Sequence, residues 1–354
     1  MTENPVSGPA QATDMTPPAQ HTSTMLEIAN LTTSLFIDGR PQLVVRGMNL
    51  TVSVGEVVGL VGESGSGKSI TARSVIGLLP RGSKVEGRIR VGDVDRLAMS
   101  RQELRQLRAE TVAMIFQDPQ AHIDPLWRVE DYVGEGLRIH QGVSKSVARE
   151  RSAALLTSMG IMDAERVLHS YPGQLSGGML QRVMIAGALS CEPQLIIADE
   201  ATTALDVTVQ SDILAILNEL RRTRHMSLLF ITHDLGLASV ICDRIVVMYA
   251  GQAMVIQDSA GLFAAPAHPY AAALVGARPD PDRRVARLRS VEGRSVSALE
   301  APSGCPFRSR CPYAIEDCAD APMTLEPIGP GVSSACIRID EIRPRLAQEV
   351  APRD

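Results

Sequence analysis

One stretch constrains this chain more than any other: Gly59-Leu60-Val61-Gly62-Glu63-Ser64-Gly65-Ser66-Gly67-Lys68-Ser69-Ile70-Thr71, an apolar run that ends in a glycine-rich turn and a lysine. The pattern Gly62-x-x-x-x-Gly67-Lys68-Ser69 fits a phosphate-binding loop, in which small residues let successive backbone N–H groups turn inward around phosphate oxygens. In that reading Lys68 reaches the β- and γ-phosphates as a point charge. The Ser69 hydroxyl ligates Mg²⁺ at the start of a helix whose N-terminal dipole favours anions. The chain has three lysines in 354 residues, which makes a chance lysine here a poor explanation. The plainer reading is a flexible Gly/Ser loop, and the strand-like Val57–Val61 before it argues against that.

A hydrophobic content of 45% is enough for a real core in one large or two ordinary domains. The net charge of −5 argues against nucleic acid as a partner, because such binding rests on bulk positive charge. No run approaches the roughly 18 apolar residues of a membrane span, and no basic-then-apolar leader opens the chain, so the cytoplasm is the expected compartment. Six cysteines in that compartment suggest metal ligands or packing thiols before disulfides.

Residues 1–24, rich in Pro, Thr, Ser, Gln and Ala, have the composition of a disordered arm. From Met25 an alternating pattern predicts a short antiparallel sheet leading into the loop strand, with Phe36 placed either to stack on an adenine base or as an ordinary half-buried strand residue. Val112–Phe116 reads as a strand delivering Gln117, a candidate movable magnesium ligand, to a turn at Asp118-Pro119. Helices are expected from Pro125 to Ser170. Ser176-Gly177-Gly178 then stands directly before a helix as a second anion-ready N-terminus. Leu195–Ala198 is a buried strand ending in two carboxylates: Asp199 suits the magnesium shell, and Glu200 can orient or deprotonate an attacking water. Ser227–Thr232 repeats the arrangement and ends at His233, for which a phosphate contact and a structural role are both open.

These stretches, in this order, resemble the ATP-binding subunit of an ABC transporter over about residues 25–275. The resemblance implies an α/β fold of the P-loop NTPase, ABC type. It would have a parallel-sheet core, an antiparallel N-terminal sheet, a helical signature subdomain at about 118–180, and a small Cys-rich extension over 276–354. It implies that Gly62, Ser64, Gly65, Gly67, Lys68, Ser69 and Ile70 belong to the Walker A site for ATP, and that Gln117 is the Q-loop residue. Leu175 to Met179 is similar to the signature, with Ser176, Gly177 and Gly178 completing the ATP site of a second ATPase. Asp199 and Glu200 would be the Walker B pair, Asp206 the D-loop aspartate, His233 the switch histidine and Phe36 the adenine-stacking residue. Ser69, Gln117 and Asp199 would hold Mg²⁺, with Glu200, His233 and Lys68 catalytic. Gly62–Ser69, Leu175 to Gln210 and His268-Pro269-Tyr270 are similar to the dipeptide/oligopeptide importer branch, although Leu180 and Ala201 stand where that branch generally has Arg and Pro.

The implied partners are a second ATPase, identical or homologous, two transmembrane permease subunits and, indirectly, an extracytoplasmic substrate-binding protein, at the cytoplasmic face of the membrane. Peptides are the implied cargo, with nickel or another small solute as the alternative. The rival reading, a soluble ABC-type ATPase acting on nucleic acid or ribosomes, would call for a second ATPase half, a coiled-coil insertion or a basic arm, none of which the sequence shows. A small-metabolite kinase would leave the signature stretch unexplained.

Past Ala277 four cysteines gather, Cys305, Cys311, Cys318 and Cys336, spaced C-x5-C-x6-C-x17-C. Four thiols within a segment poor in large apolar residues could fix it by binding metal, with Arg308, Arg310 and Arg338 favouring ionised ligands. A [4Fe–4S] cluster is expected, with Zn²⁺ or unligated thiols as alternatives, since the paired C-x2-C of most zinc modules is missing. Cys191 and Cys242 read as buried packing thiols.

Overall fold

The computed structural model describes residues 23–201, 207–278 and 290–351. Its centre is an eight-stranded sheet in which β3 (Val57–Val61), β6 (Val112–Ile115), β7 (Leu195–Asp199), β8 (Ser227–Thr232) and β9 (Arg244–Tyr249) run parallel; β10 (Gln252–Asp258), β11 (Glu326–Gly329) and β12 (Val332–Ser334) join it antiparallel. The strand order is β11-β12-β10-β9-β3-β8-β7-β6. Every residue of β3, β7 and β8 is buried, as expected of parallel strands covered on both faces, and this is why they read as continuous apolar runs.

A second sheet, order β2-β1-β4-β5, is made by β1 (Thr24–Ile37), β2 (Arg40–Ser53), β4 (Lys84–Val91) and the short β5 (Val94–Asp95). It is antiparallel throughout and alternates buried with exposed residues, its apolar face packing with helix α1 (Lys68–Ile76) against one side of the central sheet. After β5 comes α2 (Arg101–Gln106), started by a capping box at Ser100 and Glu103, which continues into a π-helical turn at Leu107–Thr111.

Between β6 and β7 lies a helical layer: α3 (Pro119–His122), α4 (Val129–His140), α5 (Lys145–Ser158), α6 (Ala164–Leu168) and α7 (Gly177–Leu189). The remaining helices are α8 (Val207–Arg224), α9 (Leu235–Ile241), α10 (Ser259–Ala264), α11 (Pro269–Gly276) and α12 (Ile339–Val350). Among the described residues no helix is long and apolar enough to cross a membrane.

The segment after residue 290 shares the central core. Strand β12 pairs with β10, placing Val255 opposite Ser334, and Phe307, Val332, Ile339, Ile342 and Leu346 are buried in the same apolar cluster as β3 and β8. Phe307 sits against Tyr249 and Tyr270 with ring centroids 5.5 and 5.1 Å away, spacings at which tilted and edge-on aromatic pairs attract. The hairpin β9–β10 and helix α11 therefore carry the extension directly.

Candidate active site

The register aligns the ends of three parallel strands. Val61 lies opposite Thr232, and Asp199 opposite Ile231, so the chain leaves β3, β7 and β8 side by side. Ligands of open α/β sheets bind at this edge. Strand β3 is fixed at its start by Asp243, whose Oδ2 accepts from the Val57 N–H at 2.8 Å while Arg221 holds the same carboxylate at 2.7 Å.

Beyond Val61 the loop turns through Gly62, Gly65 and Gly67, with φ of 154°, 77° and 100°. A Cβ on Gly62 would lie 2.1 Å from the Met248 carbonyl oxygen, so β9 passes too close for any side chain there. Helix α1 begins at Lys68, only 5% exposed, whose Nζ donates to the Gly62 and Glu63 carbonyls at 2.8 and 3.0 Å. Burial lowers its pKa, opposed by the charges of Glu200, Asp199 and Glu63. The loop walls a cavity of about 700 Å³ shared by Val44, Ser64, Ser69, Ile70, Gln117, Glu200, His233 and Leu274.

Across the cavity Ser69 Oγ donates to Asp199 Oδ1 at 2.8 Å. Burial raises the Asp199 pKa even though Ser69, Arg73 and Lys68 pull it down. Next in the chain, Glu200 adopts φ 48°, the left-handed region that a side chain of this size rarely occupies. Its N–H still reaches the Ile231 carbonyl at 3.0 Å, which extends the β7–β8 ladder by one bond and turns the carboxylate into the cavity. Gln117 Nε2 donates to Glu200 Oε2 at 3.0 Å, and His233 Nδ1 lies 3.3 Å from the same oxygen. A buried lysine, a hydroxyl that donates to the buried Asp199, and an acid flanked by an amide and an imidazole thus face one space.

The model of the ABC transporter family matches residues 45–203, and the model for the C-terminal region of oligopeptide/dipeptide transporters matches residues 256–318. The oligopeptide transport ATP-binding protein OppD of Salmonella typhimurium is 42% identical over 319 residues, covering 90% of this chain and 95% of its own. The chain belongs to the ABC transporter family. The dipeptide transport ATP-binding protein DppD of Escherichia coli is 41% identical over 313 residues, covering 88% of this chain and 96% of its own. Among solved structures, a dimeric ATP-binding cassette, MJ0796, in a post-hydrolysis state with ADP and Pi, superposes with a TM-score of 0.60 at 27% identity, covering 66% of this chain and 99% of that one. The cbiO1 subunit of Clostridium perfringens does so with a TM-score of 0.58 at 27% identity, covering 69% and 92%.

In this ABC ATPase fold the signature stretch lies apart from the cavity. Ser176 caps α7, its Oγ accepting from Met179 N–H at 3.3 Å, with Gly177 and Gly178 as the first helical residues. From the same helix Gln181, 2% exposed, donates to the Ala201 carbonyl at 2.6 Å and ties α7 to the residue after Glu200. Asp206 lies outside the described residues.

Phe36 is not among the residues that line the cavity: it pairs with Pro41 across β1 and β2, is 56% exposed, and has Gly82 beside it, while Val44 is a lining residue. The four C-terminal cysteines do line one small cavity, with the buried His268, but among the described residues no group of three or more His, Cys, Asp or Glu side chains is arranged to hold a metal. The donor chemistry suits a [4Fe–4S] cluster or Zn²⁺, but the arrangement of these side chains lends neither any support. Burial pushes the Cys305 thiol up to about 11 and Cys311 up to about 12. Arg310, expected to favour thiolates, turns instead to Glu63. Cys242 is a buried packing thiol, as expected, and Cys191 is half-buried.

No local pattern announces the contacts made by Gln181, by Arg310, or by Tyr270, whose hydroxyl accepts from the Glu63 N–H at 3.0 Å. Their partners lie 20 to 247 positions away.

Proposed function

We propose that this ABC transporter subunit hydrolyses ATP at the Gly62–Ser69 loop to energise an importer of di- or oligopeptides. One observation carries the chemistry: Glu200 stands beside the loop, its carboxylate held by Gln117 and His233, with the Ser69–Asp199 pair alongside. The cargo reading is supported by relatives named for oligopeptide and dipeptide transport that cover nearly the whole chain.

The loop N–H groups and Lys68 would hold the phosphates of ATP, with Ser64, Gly65, Gly67 and Ile70 shaping the walls. Ser69 and Asp199, with Gln117, would hold Mg²⁺; a buried carboxylate with a raised pKa is one that a cation stabilises. The metal would neutralise charge on the β- and γ-phosphates. Glu200 would take a proton from water as the water oxygen attacks the γ-phosphorus, the bond to the bridging oxygen breaks and ADP leaves. His233 and Gln117 would fix the carboxylate's direction.

Ser176, Gly177 and Gly178, set on a separate surface, would close on the nucleotide of a second ATPase, identical or homologous, and that ATPase would do the same here. Closure would drive transport because ATP binds the closed pair better than the open one. Two transmembrane permease subunits would dock between the sheet and the helical layer, where a cavity of about 420 Å³ is lined by Phe116, Tyr132, Glu135 and His140. The chain would then sit at the cytoplasmic face of the membrane. It would meet a substrate-binding protein only through the permeases. For a [4Fe–4S] cluster or Zn²⁺ the support is the four-cysteine donor set alone, and iron, sulfide and zinc analysis of anaerobically purified protein tests it.

The test of the function is co-purification. The full chain should come from membranes with two polytopic subunits, and peptide-loaded binding protein should stimulate its ATPase activity. A chain that purifies with ribosomes or nucleic acid instead would favour the soluble reading.

A further inference from the structure

The carboxylate of Glu63, the second residue of the loop, is held by the C-terminal extension. Arg310 meets it with a two-pronged grip, Nη1 to Oε2 at 2.7 Å and Nη2 to Oε1 at 3.0 Å. The guanidinium spends its other three donors on the Tyr249 hydroxyl at 3.2 Å, the Glu292 carbonyl at 2.8 Å and the Val291 carbonyl at 3.1 Å. All five N–H groups are thus used, a fixed fork that an ammonium cannot reproduce. Ser295 Oγ adds a bond to Glu63 Oε2 at 2.5 Å, and the Ala298 N–H donates to the Gly65 carbonyl at 3.1 Å. The Arg310 side chain is 3% exposed and stacks 5.7 Å from the ring centroids of both Tyr249 and Phe307.

We infer that Arg310 is a positioning residue for ATP binding: through Glu63 it holds the phosphate-binding loop in shape from outside, which makes the C-terminal extension part of the nucleotide site. This rests on the reading of Gly62–Ser69 as the ATP loop. Two effects act together. Glu63 also lines the cavity, so its carboxylate would repel phosphate unless Arg310 neutralised it. And the Glu63 carbonyl, which accepts from Lys68 Nζ at 3.0 Å and from the Ser66 N–H at 3.3 Å, stays in register only while its side chain and N–H are both anchored. Burial alone would raise the Glu63 pKa, but the bonds from Arg310 and Ser295 outweigh it and keep the carboxylate ionised.

The test is equilibrium ATP binding and steady-state ATPase kinetics of the full-length chain, with melting temperature as a control. In Arg310→Gln the dissociation constant and KM for ATP should rise about tenfold, with kcat changed less than about threefold, since a half-buried carboxylate beside the phosphate site has lost its partner. The double variant Glu63→Gln/Arg310→Gln removes the stranded charge and should recover most of the affinity. If Arg310→Gln does not fold, Arg310→Lys is read instead, with a loss of about threefold at an unchanged melting temperature. Wild-type affinity in Arg310→Gln (or, if that variant does not fold, in Arg310→Lys), or a double variant no better than Arg310→Gln, would overturn the inference. A wild-type chain that binds no ATP would overturn the ATP-loop reading itself, and the inference with it.

Discussion

The imidazole Nδ1 of His233 lies 3.3 Å from Glu200 Oε2, although the two residues end different strands and Glu200 reaches the spot only through a left-handed backbone. Backbone strain of this kind persists when the surroundings over-determine it. Here the surroundings are the Ile231 carbonyl, Gln117 and His233. Replacing His233 by Ala should leave ATP affinity nearly unchanged and lower turnover about tenfold or more, because it removes one of the groups aiming the base. Parallel measurement of nucleotide binding and phosphate release checks this.

Asp199 should act against stability in the nucleotide-free chain. Its pKa is raised in the folded protein, chiefly by burial, so its favourable contribution is present below the ordinary aspartate pKa of about 4 and is lost as pH rises through the folded value. Asp199→Asn, which keeps an acceptor for Ser69, should therefore melt higher than wild type at neutral pH and lose that advantage on acidification. It should also lose magnesium-dependent hydrolysis. Thermal melts across pH without nucleotide read the first effect, and phosphate release with added Mg²⁺ reads the second.

At Gly62 no side chain fits. A methyl group 2.1 Å from the Met248 carbonyl forces β9 and the loop apart, so Gly62→Ala should cost about 1–3 kcal/mol or more of stability and abolish ATP binding. Denaturant unfolding monitored by circular dichroism measures the cost.

Phe307 should prove to be the anchor of the extension. It is 1% exposed against Tyr249 and Tyr270, and Phe307→Ala should cost about 3–5 kcal/mol while loosening the Arg310–Glu63 contact three residues on. Faster hydrogen exchange in both the extension and the Gly62–Ser69 loop is the expected result.

The buried strands and the loop were legible because each is a local pattern: Val57–Val61 before the glycines, Leu195–Asp199 ending in carboxylates, Ser227–Thr232 ending at His233. The antiparallel sheet was legible in its alternation and in the Asp38-Gly39 turn. What was not legible depends on pairing between distant segments. No local pattern near Val332 announces that it joins the central sheet, and none near Arg310 announces that it grips a residue 247 positions earlier. Phe36 could be placed on its strand, opposite Pro41, but which of its two readings holds depends on its exposure, 56%, which no local pattern encodes. The cysteine spacing showed the donor set, whereas the direction each thiol takes is a matter of packing.

The proposed role of Glu200 as base for ATP hydrolysis at the Gly62–Ser69 loop is tested most directly by Glu200→Gln. The amide keeps the shape and the contact with His233 but cannot take a proton. ATP binding should persist within a few-fold while steady-state phosphate release falls about 10²–10⁴-fold. Near-wild-type release by Glu200→Gln at saturating ATP and Mg²⁺ would contradict the account.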